Sequence, residues 1–284
     1  MDINRSGYYK YLNRQNKPSI VLESRRSNIN LFISYHLSFP SHGYRWLNAK
    51  IRIDTGVVFS DNYAFKCCHY AGIKSKARHA RNKAYKEDKR VFDNILAKLL
   101  APKEPFKLIV SDMTAFKVKG IYYEITFYMD LFNNEIITYG LVSRRGDNRS
   151  YYNGLEDLIQ KKKEYNDLEL VLHTDQGSVY SSKDYNNLLL LNNIIHSMSR
   201  PGTPTDNAAM ESINGWVKEE LFVDFNIKDV DDVETFIKEY IVFFNEARPA
   251  YSLKYLTPKQ YKDKYYKKLN IVSTNEEKCL LLLD

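Results

Sequence analysis

The chain has 284 residues, 44% of them hydrophobic and 27% charged, which is apolar enough for one large or two smaller packed domains and excludes a disordered chain. No apolar stretch approaches the roughly 20 residues of a membrane helix, and the start lacks a signal peptide's apolar core, so no membrane contact and a cytoplasmic location are expected. Cys67, Cys68 and Cys279 have no Cys-x-x-Cys or His-x-x-x-His companions, which argues against a disulfide framework and a zinc module.

The net charge of +7 is unevenly spread: residues 1–106 hold 20 Lys and Arg against 8 Asp and Glu, and the remainder holds 22 against 27. A basic first third points to a polyanion, because neutralising phosphates releases counterions. In this third, Ile20 to Leu37 has patchy helical periodicity, and a short helix is expected from Gly43 through Ile53. A third helix, capped by Ser60 or Asp61, should run to about Ala71 and stop at Gly72. Three short helices suit a helix-turn-helix-like unit as well as any other small helical bundle, and Arg45 and Arg52 are the available guanine readers on them. The densest basic run holds Lys74, Lys76, Arg78, Arg81 and Lys83. It is either a solvated linker or a DNA contact, and the two are compatible. Val91, Ile95, Leu96 and Leu99 mark a helix that leads into the next domain, with Pro102 and Pro105 at the boundary.

From Phe106 the pattern turns to β. Leu108 to Ala115, Tyr122 to Asp130 and Ile136 to Val142 are rich in β-branched and aromatic residues, with turns at Lys119-Gly120 and Asn133-Asn134. A helix over about 150–163, a strand closing at Asp175, a helix over about 182–191 and a strand over 194–198 follow. The next helix carries Glu211, with Asp206 in cap position and Met210, Ile213, Val217 and Leu221 as its core stripe. A later helix spans about 230–244, and the Lys-rich residues after 259 read as a surface tail.

Three acids stand out. Asp112 lies in the first strand, Asp175 closes an apolar run at a strand's carboxyl end, and Glu211 follows Asp175 after 35 intervening residues. On the face of Glu211, Asn214 and Lys218 recur at i+3 and i+7. Asp130 also closes a strand, but Phe132 and Asn133 behind it favour a turn-forming aspartate. His173 is either a support for Asp175 or a packed histidine, and Arg248 either clamps a phosphate or fixes the last helix through an ion pair.

Asp112-x-Thr114, His173-Thr174-Asp175-Gln176-Gly177-Ser178 and Asp206-Asn207-Ala208-x-x-Glu211, with Lys218 seven residues on, resemble the DDE transposases of bacterial insertion sequences, specifically the IS-three family, relatives of retroviral integrases. Phe244-Asn245-Glu246-Ala247-Arg248-Pro249 resembles that family's closing signature, and Ser6-Gly7-Tyr8-Tyr9 and His42-Gly43-Tyr44-Arg45 match its N-terminal segment. Ala250 departs from the pattern, standing where a histidine is common. The resemblance implies an α/β, ribonuclease-H-like mixed five-stranded sheet flanked by helices, preceded by a small basic helical domain. It places the basic domain at 1–86, a linker helix at 87–105, the catalytic core at 106–258 and a basic tail at 259–284.

The function implied is metal-dependent cleavage of the element's 3′ ends and strand transfer, with Asp112, Asp175 and Glu211 holding two Mg²⁺ ions for which Mn²⁺ substitutes. Lys218, Asn214 and Arg248 would meet DNA. The partners implied are element-end and target DNA, further copies of the chain on that DNA, and an upstream-frame helix-turn-helix protein. A plain nuclease of the same fold and an inactive DNA-binding relic or repressor are the alternatives; the basic first third and intact acids favour the transposase.

Overall fold

In the computed structural model, residues 4–15, 20–77, 102–164, 169–199 and 208–280 are described, and the chain divides into two compact units, residues 1–78 and 79–284. The first is helical: α1 (Arg5–Gln15), α2 (Ile20–Ser38), α3 (Tyr44–Thr55) and α4 (Asp61–Tyr70). The last three pack around Phe32, Trp46, Leu47, Ile51 and Ala64, with Cys67 and Cys68 as buried free thiols. Gly56, at φ +73°, ends α3, and its N–H returns to Arg52 O; Ser60 caps α4 by accepting from the Tyr63 N–H. Helix α1 is an addition to the three helices expected. Its polar sequence contains Gly7 and has exposed Tyr8, Tyr9 and Tyr11, so it offers no core stripe to read.

The second unit is built on β1 (Leu108–Val118), β2 (Ile121–Asp130), β3 (Glu135–Val142), β4 (Leu170–Thr174) and β5 (Ile194–Met198) in the order β3-β2-β1-β4-β5. The first three are antiparallel, and β4 and β5 run parallel to β1. Lys119 (φ +48°) and Gly120 (φ +83°) form the left-handed two-residue turn that suits the twist of a tight hairpin. Successive β1 side chains alternate faces. Val110 joins Phe127, Met129, Met210, Val217, Ile237 and Phe244, under α7 (Ala208–Glu219) and α8 (Val233–Glu246). Ile109 joins Tyr128, Leu155, Leu158, Leu172 and Leu189, under α5 (Arg149–Glu164) and α6 (Lys183–Leu191). This strand order and its helical layers are the ribonuclease-H-like arrangement. Helix α5 sits close on the sheet because Gly140 and Gly154 face each other: a Cβ on Gly140 would stand 2.0 Å from Ser150 O.

Two expectations change. The stretch after 259 is a helix, α9 (Pro258–Leu280), instead of a tail. Tyr261 and Tyr265, one turn apart, pack tilted and edge-on against Phe132 at 5.3 and 5.1 Å between ring centroids, and Asn133 Nδ2 donates to Pro258 O. The run through Leu221 also leaves the α-helix early, because Glu220–Asp224 forms a π turn in which the Phe225 N–H bonds Glu220 O at 2.9 Å. Residues 87–101 of the expected linker helix, and the Asp206 cap, lie outside the described residues. Among those described, no helix is long and apolar enough to cross a membrane.

Candidate active site

Parallel pairing of β1 with β4 matches Leu108 to Val171, Ile109 to Leu172 and Val110 to His173. Two residues further along each chain stand Asp112, within β1, and Asp175, just past the end of β4. Carried two residues past its last pair, the register sets Asp112 level with Asp175 at the end of β4. Asp112 is half-buried and Asp175 exposed. The half-buried Tyr151 phenol senses both: burial, then the charges of Asp175, Glu124 and Asp112, push it up to about 12.

Hydrogen bonds hold each carboxylate. Asp112 Oδ1 accepts from the Met113 N–H at 2.9 Å, and Oδ2 accepts from Asn214 Nδ2 at 2.9 Å. Asn214 lies in α7, three residues after Glu211 in sequence, so α7 reaches Asp112 through the position that Asn214 occupies. The Glu211 side chain lies outside the described residues. Asp175 Oδ1 accepts from the Gly177 N–H at 2.9 Å, which folds the following loop back onto the carboxylate. The Asp175 carbonyl is fixed too. It accepts from Thr174 Oγ1 at 2.8 Å; that hydroxyl lies 3.0 Å from His196 Nε2, and His196 Nδ1 meets Asn186 Oδ1 at 2.7 Å. Burial lowers the His196 pKa.

Oxygen donors suit a hard cation such as Mg²⁺. One observation fits such an ion. Asn214 Oδ1 is buried and has no hydrogen-bond partner among the described residues, although it belongs to the amide bonded to Asp112. A carbonyl oxygen left bare beside a carboxylate is a natural neighbour for a cation or its water. Among the described residues no group of three or more His, Cys, Asp or Glu is arranged to hold a metal, and the third expected ligand, the Glu211 side chain, is not among them.

Two stretches of the chain match models of the integrase core domain, residues 102–204 and 192–258. The putative transposase InsK for insertion sequence element IS150 of Escherichia coli is 29% identical over 268 residues, covering 93% of this chain and 92% of that one. An uncharacterized transposase-like protein of Haemophilus influenzae is 32% identical over 194 residues, covering 68% of this chain and 88% of that one. The chain belongs to the insertion-sequence transposases. The integrase core that this transposase carries is a polynucleotidyl-transferase core. Among solved structures, the HTLV-2 integrase catalytic core domain in complex with magnesium overlaps 56% of this chain and 98% of that one, at 16% identity and a TM-score of 0.43; the strand order itself fixes the fold.

The remaining expected site residues of the transposase fall in different places. Lys218 is half-buried on α7, one turn after Asn214. Asn214, expected on DNA, is only 6% exposed, and its Nδ2 donates to Asp112 Oδ2. Arg248, also expected on DNA, is turned inward: its Nε meets Glu220 Oε1 at 2.6 Å, with the Glu220 side chain fully buried, and its guanidinium lies 5.0 Å from the Phe244 ring centroid. Arg45 is exposed, loosely opposite Asp61 at 3.9 Å and over the Tyr44 ring. Lys74 and Lys76 are exposed, while Arg78, Arg81 and Lys83 lie outside the described residues.

Asp130 stands apart. It pairs with Ile109, three residues back along β1 from Asp112, is 1% exposed, and accepts from the N–H groups of Phe106 and Phe132 at 2.7 and 2.9 Å. His173 is buried, with Nδ1 on Ser197 Oγ at 2.9 Å and Nε2 on Ser199 Oγ at 3.0 Å, tying β4 to β5 and the residue after it. Tyr151 carries no sequence signal beyond its place in the first turn of α5. The support from Thr174 and His196 is likewise invisible in sequence, since the two side chains meet across neighbouring strands.

Proposed function

We propose that this transposase cuts the 3′ ends of an insertion element and joins them to target DNA, with Asp112, Asp175 and Glu211 as the metal-holding acids. The observation that supports it most is the β1–β4 register, which brings Asp112 level with Asp175 while α7, the helix of Glu211, bonds Asp112 through Asn214. Two Mg²⁺ ions, or Mn²⁺ in their place, would supply activation of the attacking hydroxyl and stabilisation of the leaving 3′ oxygen. Asn214 fixes the direction of the Asp112 carboxylate, Gly177 that of Asp175, and the Thr174–His196 pair the backbone of Asp175. Lys218, one turn further along α7, contributes a cation for the phosphate near the scissile bond. Further copies of the chain on DNA and an upstream-frame helix-turn-helix protein are the proposed partners.

The test is element-end DNA incubated with Mg²⁺ and a target plasmid. Asp112→Asn, Asp175→Asn and Glu211→Gln should each abolish cleavage and joining while retaining DNA binding, because each removes a ligand's charge near phosphate. Joined product from any of these variants would move the assignment to another acid. Cleavage by the unaltered chain without joined product would favour the nuclease reading.

A further inference from the structure

We propose that the loop between β3 and α5, through Arg144 and Arg145, grips the phosphodiester backbone of the element-end duplex three to five base pairs from the scissile phosphate. The placement rests on the carboxylate assignment above; the loop itself is argued from its own geometry. Strand β1 continues past Asp112 to Ala115, which pairs with Glu124, and to Lys117, which pairs with Tyr122. At about 3.4 Å per residue these points lie about 10 and 17 Å along the sheet from Asp112 and, being odd steps away, on its other face, the one α5 covers. Tyr151, in the first turn of α5 after the loop, feels the charges of Asp175, Glu124 and Asp112, so the loop borders the carboxylate rim. The loop meets the sheet at both points. The Gly146 N–H lies 2.9 and 3.0 Å from the two Glu124 carboxylate oxygens, and the Arg145 guanidinium stands 5.8 Å from the Tyr122 ring centroid. For a duplex whose axis runs along β1, at about 3.4 Å per base pair, the span from the carboxylates is three to five base pairs.

The loop is ordered before any ligand arrives. Glu124 is only 5% exposed, an unusual place for a carboxylate, and it anchors Gly146, which adopts φ +70°. Asp147 is chelated by Arg149, through Nε at 3.0 Å and Nη2 at 2.6 Å, and also accepts the Arg149 N–H. That pair neutralises itself and holds the start of α5. Arg144, Arg145 and Lys117 remain, all exposed, and neither arginine forms an ion pair among the described residues. Two guanidinium groups on a pre-ordered loop, with a lysine beside them, match the planar two-point demand of phosphate oxygens at small entropic cost.

The experiment measures binding of the full chain to element-end duplex by fluorescence anisotropy between 50 and 200 mM salt, with Ca²⁺ replacing Mg²⁺ so that no bond breaks. Arg144→Ala with Arg145→Ala should lower the slope of log K against log salt by about 1.8, at roughly 0.9 per phosphate. Lys163→Ala with Lys183→Ala, an equal charge loss elsewhere on the unit, should leave it unchanged. On duplexes cut back to two base pairs from the scissile phosphate, on the element side or the flanking side, one truncation should erase the difference between the arginine variant and the unaltered chain. An unchanged slope, or a deficit that survives both truncations, overturns the proposal. The carboxylate assignment stands or falls separately, on chemistry by the Asp112→Asn variant.

Discussion

Replacing Arg248 with alanine separates a structural role from DNA contact. Its guanidinium lies 2.6 Å from Glu220 Oε1, and Tyr240 donates its hydroxyl to Glu220 Oε2 at 2.8 Å, with Glu220 fully buried. Burial works against the Arg248 charge, but Glu220 and Tyr240 more than offset it and raise its pKa. Removing one partner of a buried pair leaves an uncompensated charge and costs about 3–5 kcal/mol. For a unit of this size, at about 2–4 °C per kcal/mol, the melting temperature should fall by roughly 6–20 °C. Replacing the group as a whole, with Glu220→Leu, Arg248→Met and Tyr240→Phe, should recover most of that loss, since apolar substitutes of similar volume are often neutral or better. Thermal melting by circular dichroism reads the stability, and the salt dependence of DNA binding reads the contact. Arg248→Ala should leave the slope of log K against log salt unchanged. If melting is unaltered while the slope drops by about 0.9, Arg248 faces phosphate and the inward pairing is wrong.

Asn214→Ala should lower cleavage by about 10–100-fold, the usual cost of losing a partner that orients a metal ligand, with an unchanged salt slope because the amide does not reach solvent; a changed slope with normal cleavage would return Asn214 to the DNA surface. The Asp130 carboxyl, pushed up to about 6 chiefly by burial against the opposing bonds from Phe106 and Phe132, binds its proton more tightly in the folded chain than the ordinary carboxyl at 3.8. Its contribution is therefore greatest at low pH and declines as pH rises from about 4 to 6, by up to ~3 kcal/mol. Carbon-13 NMR of the aspartate carboxyls should show a midpoint near 6, and a midpoint near 4 would refute this.

What the sequence made legible was local or strictly periodic. The Lys119-Gly120 turn, the alternation of the three hairpin strands and the apolar run ending at Asp175 all follow from neighbouring residues, and the strand order follows from the succession of elements. Arg248 and Glu220 were not legible as partners, because they are 28 positions apart and only the packing of α8 beside the π turn joins them. Asn214 read as a surface amide since its spacing from Glu211 reports a helix face but not what covers that face. Helix α9 was obscured by its lysines. Its tyrosines at 261 and 265 carry the packing, and a two-residue stripe in a basic run resembles a solvated tail.

The π turn at Glu220–Asp224 bears on how the length of the chain can change. A turn closed from residue i to i+5 holds one residue more than an α turn, so the segment joining α7 to α8 contains slack of one position. Removing a residue there lets an ordinary α turn span the gap, leaving Asn214 upstream and Tyr240 downstream at their stations. A deletion within α7 has no such reserve. It would rotate every later side chain by about 100°, in keeping with 3.6 residues per turn, and swing Val217 out of the core. Gaps in an alignment of such chains should therefore be admitted between positions 220 and 224 and excluded between 211 and 219.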